Sequence, residues 1–235
     1  MPGIARRTRA TASNGTSSTA LIPAWAGGVL PTNGDLCIAV AACILQTTLT
    51  PPDPTWMPLL DQPLDAGTTL RMWAYYKYAS NEQPGATWST PSATKGWACI
   101  AAYSGFNGDA APVAAPVTGT HTTPAITVPS NGWLLTAAAG RHANTGTPTA
   151  YQSSDLTDTE LLDFGSNVSG SNDVSGIVCD SNRPLVAGTA SRTFTPTQVE
   201  SLRVALSVTF GPEASAAGGV GATTDPAGAA WGVHL

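Results

Sequence analysis

The chain has 235 residues, of which 42% are hydrophobic and 11% charged, with a formal net charge of -5. The length and apolar content are enough for one large core. The acid excess excludes a nucleic-acid partner, because neutralising phosphate needs a basic surface. An average globular chain carries roughly 25% charged residues, so this surface must rest on Ser, Thr, Asn, Gly and Pro. Such a coat suits a protein that packs against copies of itself or against neighbours.

Residues 1–17, rich in Gly, Ala, Arg, Thr and Ser, read as an irregular N-terminal arm. Arg6, Arg7 and Arg9 form its basic run, which is either a solvated tail or a partner contact to an acidic protein surface. Ser, Asn, Gly and Thr follow these arginines in place of an apolar segment. No signal peptide is therefore expected, and the protein is expected to be made in a cytoplasm.

A first strand is predicted over 18–23. The turn Pro31-Thr32-Asn33-Gly34-Asp35 then delivers the chain into a buried strand over 36–45. That run is too short for a membrane span, which takes about 20 apolar residues. A proline-rich loop (Pro51, Pro52, Pro54) precedes strands over 56–61 and 69–78. In the second of these, alternation puts Arg71, Trp73, Tyr75 and Lys77 on one face and Met72, Ala74, Tyr76 and Tyr78 on the other.

Residues 86–90 and 97–104 give two more strands. A loop is predicted over 105–122, strands over 124–128 and 132–139, and a loop over 140–153. Residues 155–164 fit a strand better than a short helix, and 173–179 and 185–194 are strands. The stretch 201–210 alternates most cleanly. Val204, Leu206, Val208 and Phe210 point in, and Arg203, Ala205, Ser207 and Thr209 point out, as in a sheet with one face packed and one less buried. Residues 212–235 return to Gly, Ala, Pro and Thr as a C-terminal arm. It is either a floppy tail or a peg that docks on a neighbour through its alternating apolar end, Trp231 to Leu235.

The sum is an all-β chain: an antiparallel two-sheet β-sandwich, jelly-roll-like, over 18–211, with irregular arms at 1–17 and 212–235. A weak echo links Pro31-Thr32-Asn33-Gly34-Asp35-Leu36 to Pro129-Ser130-Asn131-Gly132-Trp133-Leu134. Another links Thr69-Leu70-Arg71-Met72 to Ser201-Leu202-Arg203-Val204. Reuse of one turn-strand device explains both more simply than duplication.

No motif of nucleophilic, phosphate-binding or metal-assisted catalysis is present. Cys37, Cys43, Cys99 and Cys179 sit in apolar runs and are expected as buried free thiols. His121, His142 and His234 show no ligand spacing. The chain is therefore expected to be no enzyme, with no catalytic residue, cofactor or metal. The acidic group Asp155, Asp158, Glu160 and Asp163 reads as a solvated edge that discourages strand pairing. A carboxylate pair or a calcium site is the sharper reading of the same four. Trp25, Trp56, Trp88 and Trp231 fall near loops or strand ends, where they either contact glycan or pack in the core or a subunit interface. Trp73, Trp97 and Trp133 fall within strands and read as core.

Several phrases occur in a fixed order: Asn33-Gly34-Asp35-Leu36-Cys37-Ile38-Ala39-Val40, then Trp56-Met57-Pro58-Leu59-Leu60-Asp61, then Leu70-Arg71-Met72-Trp73-Ala74-Tyr75-Tyr76-Lys77-Tyr78-Ala79. Ala102-Tyr103-Ser104-Gly105-Phe106, Thr123-Pro124-Ala125-Ile126-Thr127-Val128-Pro129 and Gly132-Trp133-Leu134-Leu135 follow. Over about residues 18–210 this resembles a group of β-sandwich proteins from phages of actinobacteria, minor tail or other virion structural proteins. Thr55 stands where that pattern has a glycine before the tryptophan. The resemblance implies a virion component, most readily a minor tail protein, with a capsid-decoration protein on the head surface as the alternative. It implies partners in other virion proteins and in copies of the chain, as a trimer or a symmetry-matched ring. A carbohydrate-binding module adhering to host cell-wall glycan is the reading from a different class. No catalytic residue carries over.

Overall fold

The computed structural model of the protein describes residues 3–44, 48–106, 111–142, 150–165 and 173–212. The first half of the chain supplies β1 (Ala5–Leu21), β2 (Ala24–Trp25), β3 (Leu36–Cys43), β4 (Met57–Pro58), β5 (Leu64–Ala66), β6 (Leu70–Tyr78) and β7 (Trp88–Ser104). The second half supplies β8 (Val113–Thr118), β9 (Ile126–Val128), β10 (Trp133–His142), β11 (Tyr151–Ser153), β12 (Thr159–Gly165), β13 (Asp173–Asp180), β14 (Gly188–Ala190), β15 (Phe194–Pro196) and β16 (Leu202–Phe210). Among the described residues the one helical element is a 3-10 turn at Ala26–Gly28.

Two antiparallel sheets result. The first runs β2-β1-β7-β3-β6-β4, with β5 also beside β6, and the second runs β12-β13-β10-β16-β8. β11 pairs with β15 and β9 with β14 as separate ribbons. The inner faces interdigitate as the alternation of side chains requires. Leu36, Ile38 and Val40 of β3 and Trp97, Cys99 and Tyr103 of β7 meet Trp133 and Leu135 of β10, Val174 and Val178 of β13, and Val204, Leu206 and Val208 of β16 in one core.

The outer faces are covered as well. Cys37, Ala39, Ala41, Ala98 and Ile100 lie beneath Leu21, Trp25, Leu49, Trp56 and Trp88. On the other side, Ala138, Ile177, Cys179 and Ala205 lie beneath Tyr151 and Phe194 of the β11–β15 ribbon. Strands buried on both faces lose alternation and read as continuous apolar runs, which is why Leu36–Cys43 shows no polar face. The same cover corrects the expectation for 201–210. Ala205, Ser207 and Thr209 point away from the core yet are buried, because ribbons and loops close over them.

Three further expectations are corrected. Residues 5–17 are no irregular arm: they belong to β1, which pairs with β7 from Ala5↔Ser104 to Leu21↔Trp88, with bulges. A backbone ladder needs no apolar side chains on a strand flanked on its outer side by only the two-residue β2, so a Ser/Thr-rich sequence can form one. The segments at 86–90 and 97–104 are one strand, β7. The strand order is also not that of a jelly roll, in which strands alternate between sheets. Here each sheet is drawn from one half of the chain. The C-terminal arm from 213 onward, with Trp231, His234 and Leu235, lies outside the described residues.

The two halves repeat one topology. Read as β1-β7-β3-β6-β5 and β8-β16-β10-β13-β12, the sheets visit their positions in the same chain order. β3 and β10 are the central strands, and each follows the echoed turn. The turns close one residue apart, however. Asp35 N–H donates to Thr32 O at 2.9 Å with Gly34 at φ 89°, whereas Gly132 N–H donates to Pro129 O at 2.9 Å with Asn131 at φ 58°. A one-residue slip exchanges the faces of a strand. Leu36 accordingly enters the inter-sheet core, while its sequence counterpart Leu134 faces the opposite way, with Ile126 and Val128.

Candidate functional site

The polar groups that the fold buries gather at three places. The first is the N-terminal strand. Arg6 donates to Asp180 Oδ1 at 2.6 Å, and Tyr103 donates to the other oxygen at 3.0 Å. Burial pushes the Asp180 carboxyl up, and the Arg6 guanidinium opposes it. Arg7 pairs with Asp35, and Arg9 donates to the Glu160 carbonyl at 2.6 Å. The three arginines flank a cleft of about 360 Å³ shared with Ala26, Val29, Thr159 and Glu160. The sequence expected them on a solvated tail or an acidic partner. The acceptors they reach, two carboxylates and one main-chain carbonyl, belong to their own chain, and the contacts bind β1 to both sheets.

The second place is the acidic group. Arg192 spans Asp155 at 3.0 Å and Asp158 at 2.7 Å. Asp155 is held below its ordinary range by the Thr157 hydroxyl and N–H. Burial raises Asp158 despite Arg192. Asp163, on the edge strand β12, accepts from Tyr151 N–H at 3.2 Å and is pushed by burial up to about 6. An arginine therefore sits where a cation or a second catalytic carboxyl would be needed. Among the described residues no group of three His, Cys, Asp or Glu is arranged to hold a metal ion.

The third place went unforeseen. Glu200 has a side chain 0% exposed. Its Oε1 accepts from Tyr151 Oη at 2.5 Å and from Ser175 Oγ, and its Oε2 stands 2.5 Å from His121 Nε2. Burial and the Glu200 carboxylate hold the Tyr151 phenol well above its ordinary value. The four residues come from positions 121, 151, 175 and 200, so no local spacing announces them.

The tryptophans expected to face loops are interior. Trp25, Trp56 and Trp88 are 8%, 6% and 1% exposed. Trp56 meets Trp88 edge-on at 5.0 Å and carries the Lys77 ammonium 4.9 Å above its ring. Trp25 donates to the Gln83 carbonyl at 3.2 Å. A sugar stacks on an open ring face, and these rings present none, so the stacking platform for glycan is corrected to packing. The four cysteines are buried and form no disulfide among the described residues. Burial raises the Cys99 thiol to about 12 and moves Cys37 and Cys179 further in the same direction.

Among the described residues no helix is long and apolar enough to cross a membrane. Compared with family models, curated proteins and solved structures, the chain matches none.

Proposed function

We propose that the chain is a non-enzymatic structural component of a phage virion, a minor tail protein that assembles with copies of itself and with other virion proteins. The observation that carries the reading is the cross-linking of the two sheets at the middle of β7 and at its C-terminal end. In the middle Lys95 pairs with Asp173 at 2.7 Å, and Trp97 N–H donates to Ser175 O at 3.1 Å. At the C-terminal end Tyr103 and Arg6 share Asp180. Buried ion pairs of this kind add little net stability over apolar packing, but they fix one geometry. The outer faces are also covered, so the sandwich is a stiff block that resists sliding of one sheet over the other. That property suits a particle component under mechanical load. The sequence resemblance to virion proteins of actinobacterial phages points the same way.

The test is immunogold electron microscopy of phage particles, with antibody raised against residues 18–210. Label at the tail supports the proposal. Label over the head replaces it with capsid decoration. Absence of label from intact particles, with the protein present in the lysate, overturns the virion reading.

A further inference from the structure

We propose that residues 213–235 of the chain itself seat in the groove between β1 and β12, with their acidic residues toward the arginines and their apolar end on Val29. The segment lies outside the described residues, but the place where it starts does not. The Phe210 ring at the end of β16 packs on Tyr103 at 4.6 Å. Tyr103 donates to one oxygen of Asp180, and Arg6 donates to the other. The chain therefore leaves the sandwich at the end where the arginines gather. Strands in a sheet lie about 4.8 Å apart, which puts β12 about 14 Å from β16 across β10 and β13. Residues 213–235 at full extension span about 75 Å, so the groove is well within their reach.

The groove is two clefts in line. The first, about 360 Å³, holds Arg6, Arg7, Arg9, Val29 and Glu160. The second, about 340 Å³, continues from Arg9 and Glu160 along Ser13 and Phe164. Both walls are strands with an open edge. β12 has no neighbour on its outer side among the described residues, and β1 has there only the two-residue β2. An open edge takes an extended peptide through main-chain hydrogen bonds. Left bare, it is a template for pairing with another chain.

Charge and apolar surface select the occupant. Asp180 and Asp35, which Arg6 and Arg7 hold, lie buried behind the guanidinium groups and do not line the cleft. Arg9 donates to the Glu160 carbonyl and, among the described residues, meets no carboxylate. The first cleft thus presents three cations and one acid, Glu160, in a chain of net charge -5. The second cleft adds Asp163, so an acidic occupant belongs at the arginine end. Residues 213–235 carry Glu213 and Asp225 and neither Lys nor Arg. Val29, 50% exposed, offers an apolar contact to Trp231, Val233 and Leu235. A segment tethered to the same body acts at a high effective concentration, which a second copy must match from solution. That favours the chain's own segment over a neighbour's.

The experiment puts photoreactive benzoylphenylalanine in place of Trp231 in the full chain, irradiates it and maps the adducts by peptide mass spectrometry. An equimolar mixture of light and isotopically heavy chain separates the two sources of the segment. Adducts are expected on 26–29 and on the facing 159–160, each joining peptides of one isotope. Adducts that join light to heavy at those residues put a second copy in the groove and overturn the proposal. Adducts elsewhere on the sandwich, or none, overturn it as well. Arg9→Glu should lower the yield at 26–29 about three- to tenfold, and Arg9→Lys should keep most of it. Asp225→Lys makes the same test from the segment's side and leaves β1 untouched. A yield that neither charge reversal lowers overturns the arginine end as the seat.

Discussion

Trp97 lies hard against Gly176: a Cβ added at that glycine would meet the indole Cε2 at 2.1 Å. The same indole donates to the Ser175 carbonyl beside it, so at this point β7 touches β13 through one large ring and one absent side chain. Gly176→Ala must push the ring off that hydrogen bond. Overpacking of this kind costs about 1–3 kcal/mol, and the upper end applies here because Trp97 is wholly buried. Urea unfolding should show the loss. Adding Trp97→Phe to Gly176→Ala should recover part of it, and two losses that simply add would refute the contact.

The Lys95–Asp173 bridge makes a different prediction. Both side chains are almost fully shielded. Asp173→Asn leaves the lysine charge inside, at a cost of about 3–5 kcal/mol. The double variant Lys95→Met with Asp173→Leu removes both charges and should retain much more stability than the single one. If the double variant is the less stable by chemical denaturation, the bridge is a net source of stability rather than a device for fixing geometry.

How far all this was legible depends on whether a feature is local. β3, β6, β10 and β16 announce themselves because a strand's faces are written in consecutive residues. β1 hides because an edge ladder is held by backbone groups, and its Ser/Thr sequence fits an arm as well as a strand. Arg6 and Asp180 lie 174 residues apart, and the Glu200 cluster draws on four distant positions. No spacing rule reaches such pairs; only the strand order brings them together. The tryptophans left two readings open for a related reason. Trp56 and Trp88 lie near loops in sequence, but those loops fold back as the roof of the first sheet's outer face.

Asp163 gives a pH dependence with a definite sign. Its folded value lies near 6, above the ordinary 3.8, chiefly through burial. The fold therefore favours the protonated form. The stability this contributes is complete below about pH 4 and is lost as pH rises through about 6. Asparagine mimics the neutral acid and can still accept from Tyr151 N–H. Asp163→Asn should match the wild-type melting temperature near pH 4 and exceed it above pH 6. Asp163 itself remains solvent-exposed on the edge strand β12, so water screens much of the effect and the gain is modest. A variant that melts lower than wild type at neutral pH contradicts the burial argument.

The paired turns allow backbone strain to be measured free of packing. At Gly34 a Cβ would meet nothing within 4 Å, yet φ is +89°. Gly34→Ala therefore costs conformational energy alone, about 1–2 kcal/mol. At the second turn the left-handed position is held by Asn131, at φ 58° and exposed to solvent. Asparagine tolerates that region, so Asn131→Gly should change stability by no more than about 0.5 kcal/mol. The contrast follows from where each turn closes, since with the two echoed sequences aligned the left-handed residue stands one step earlier in the second turn than in the first. If Gly132 held that place, as the sequence echo suggests, Asn131→Gly would act at an ordinary position and destabilise, and Gly132→Ala would carry the strain. Thermal unfolding of the three variants decides between these assignments. It thereby tests whether the one-residue shift sets which face of β10 enters the core.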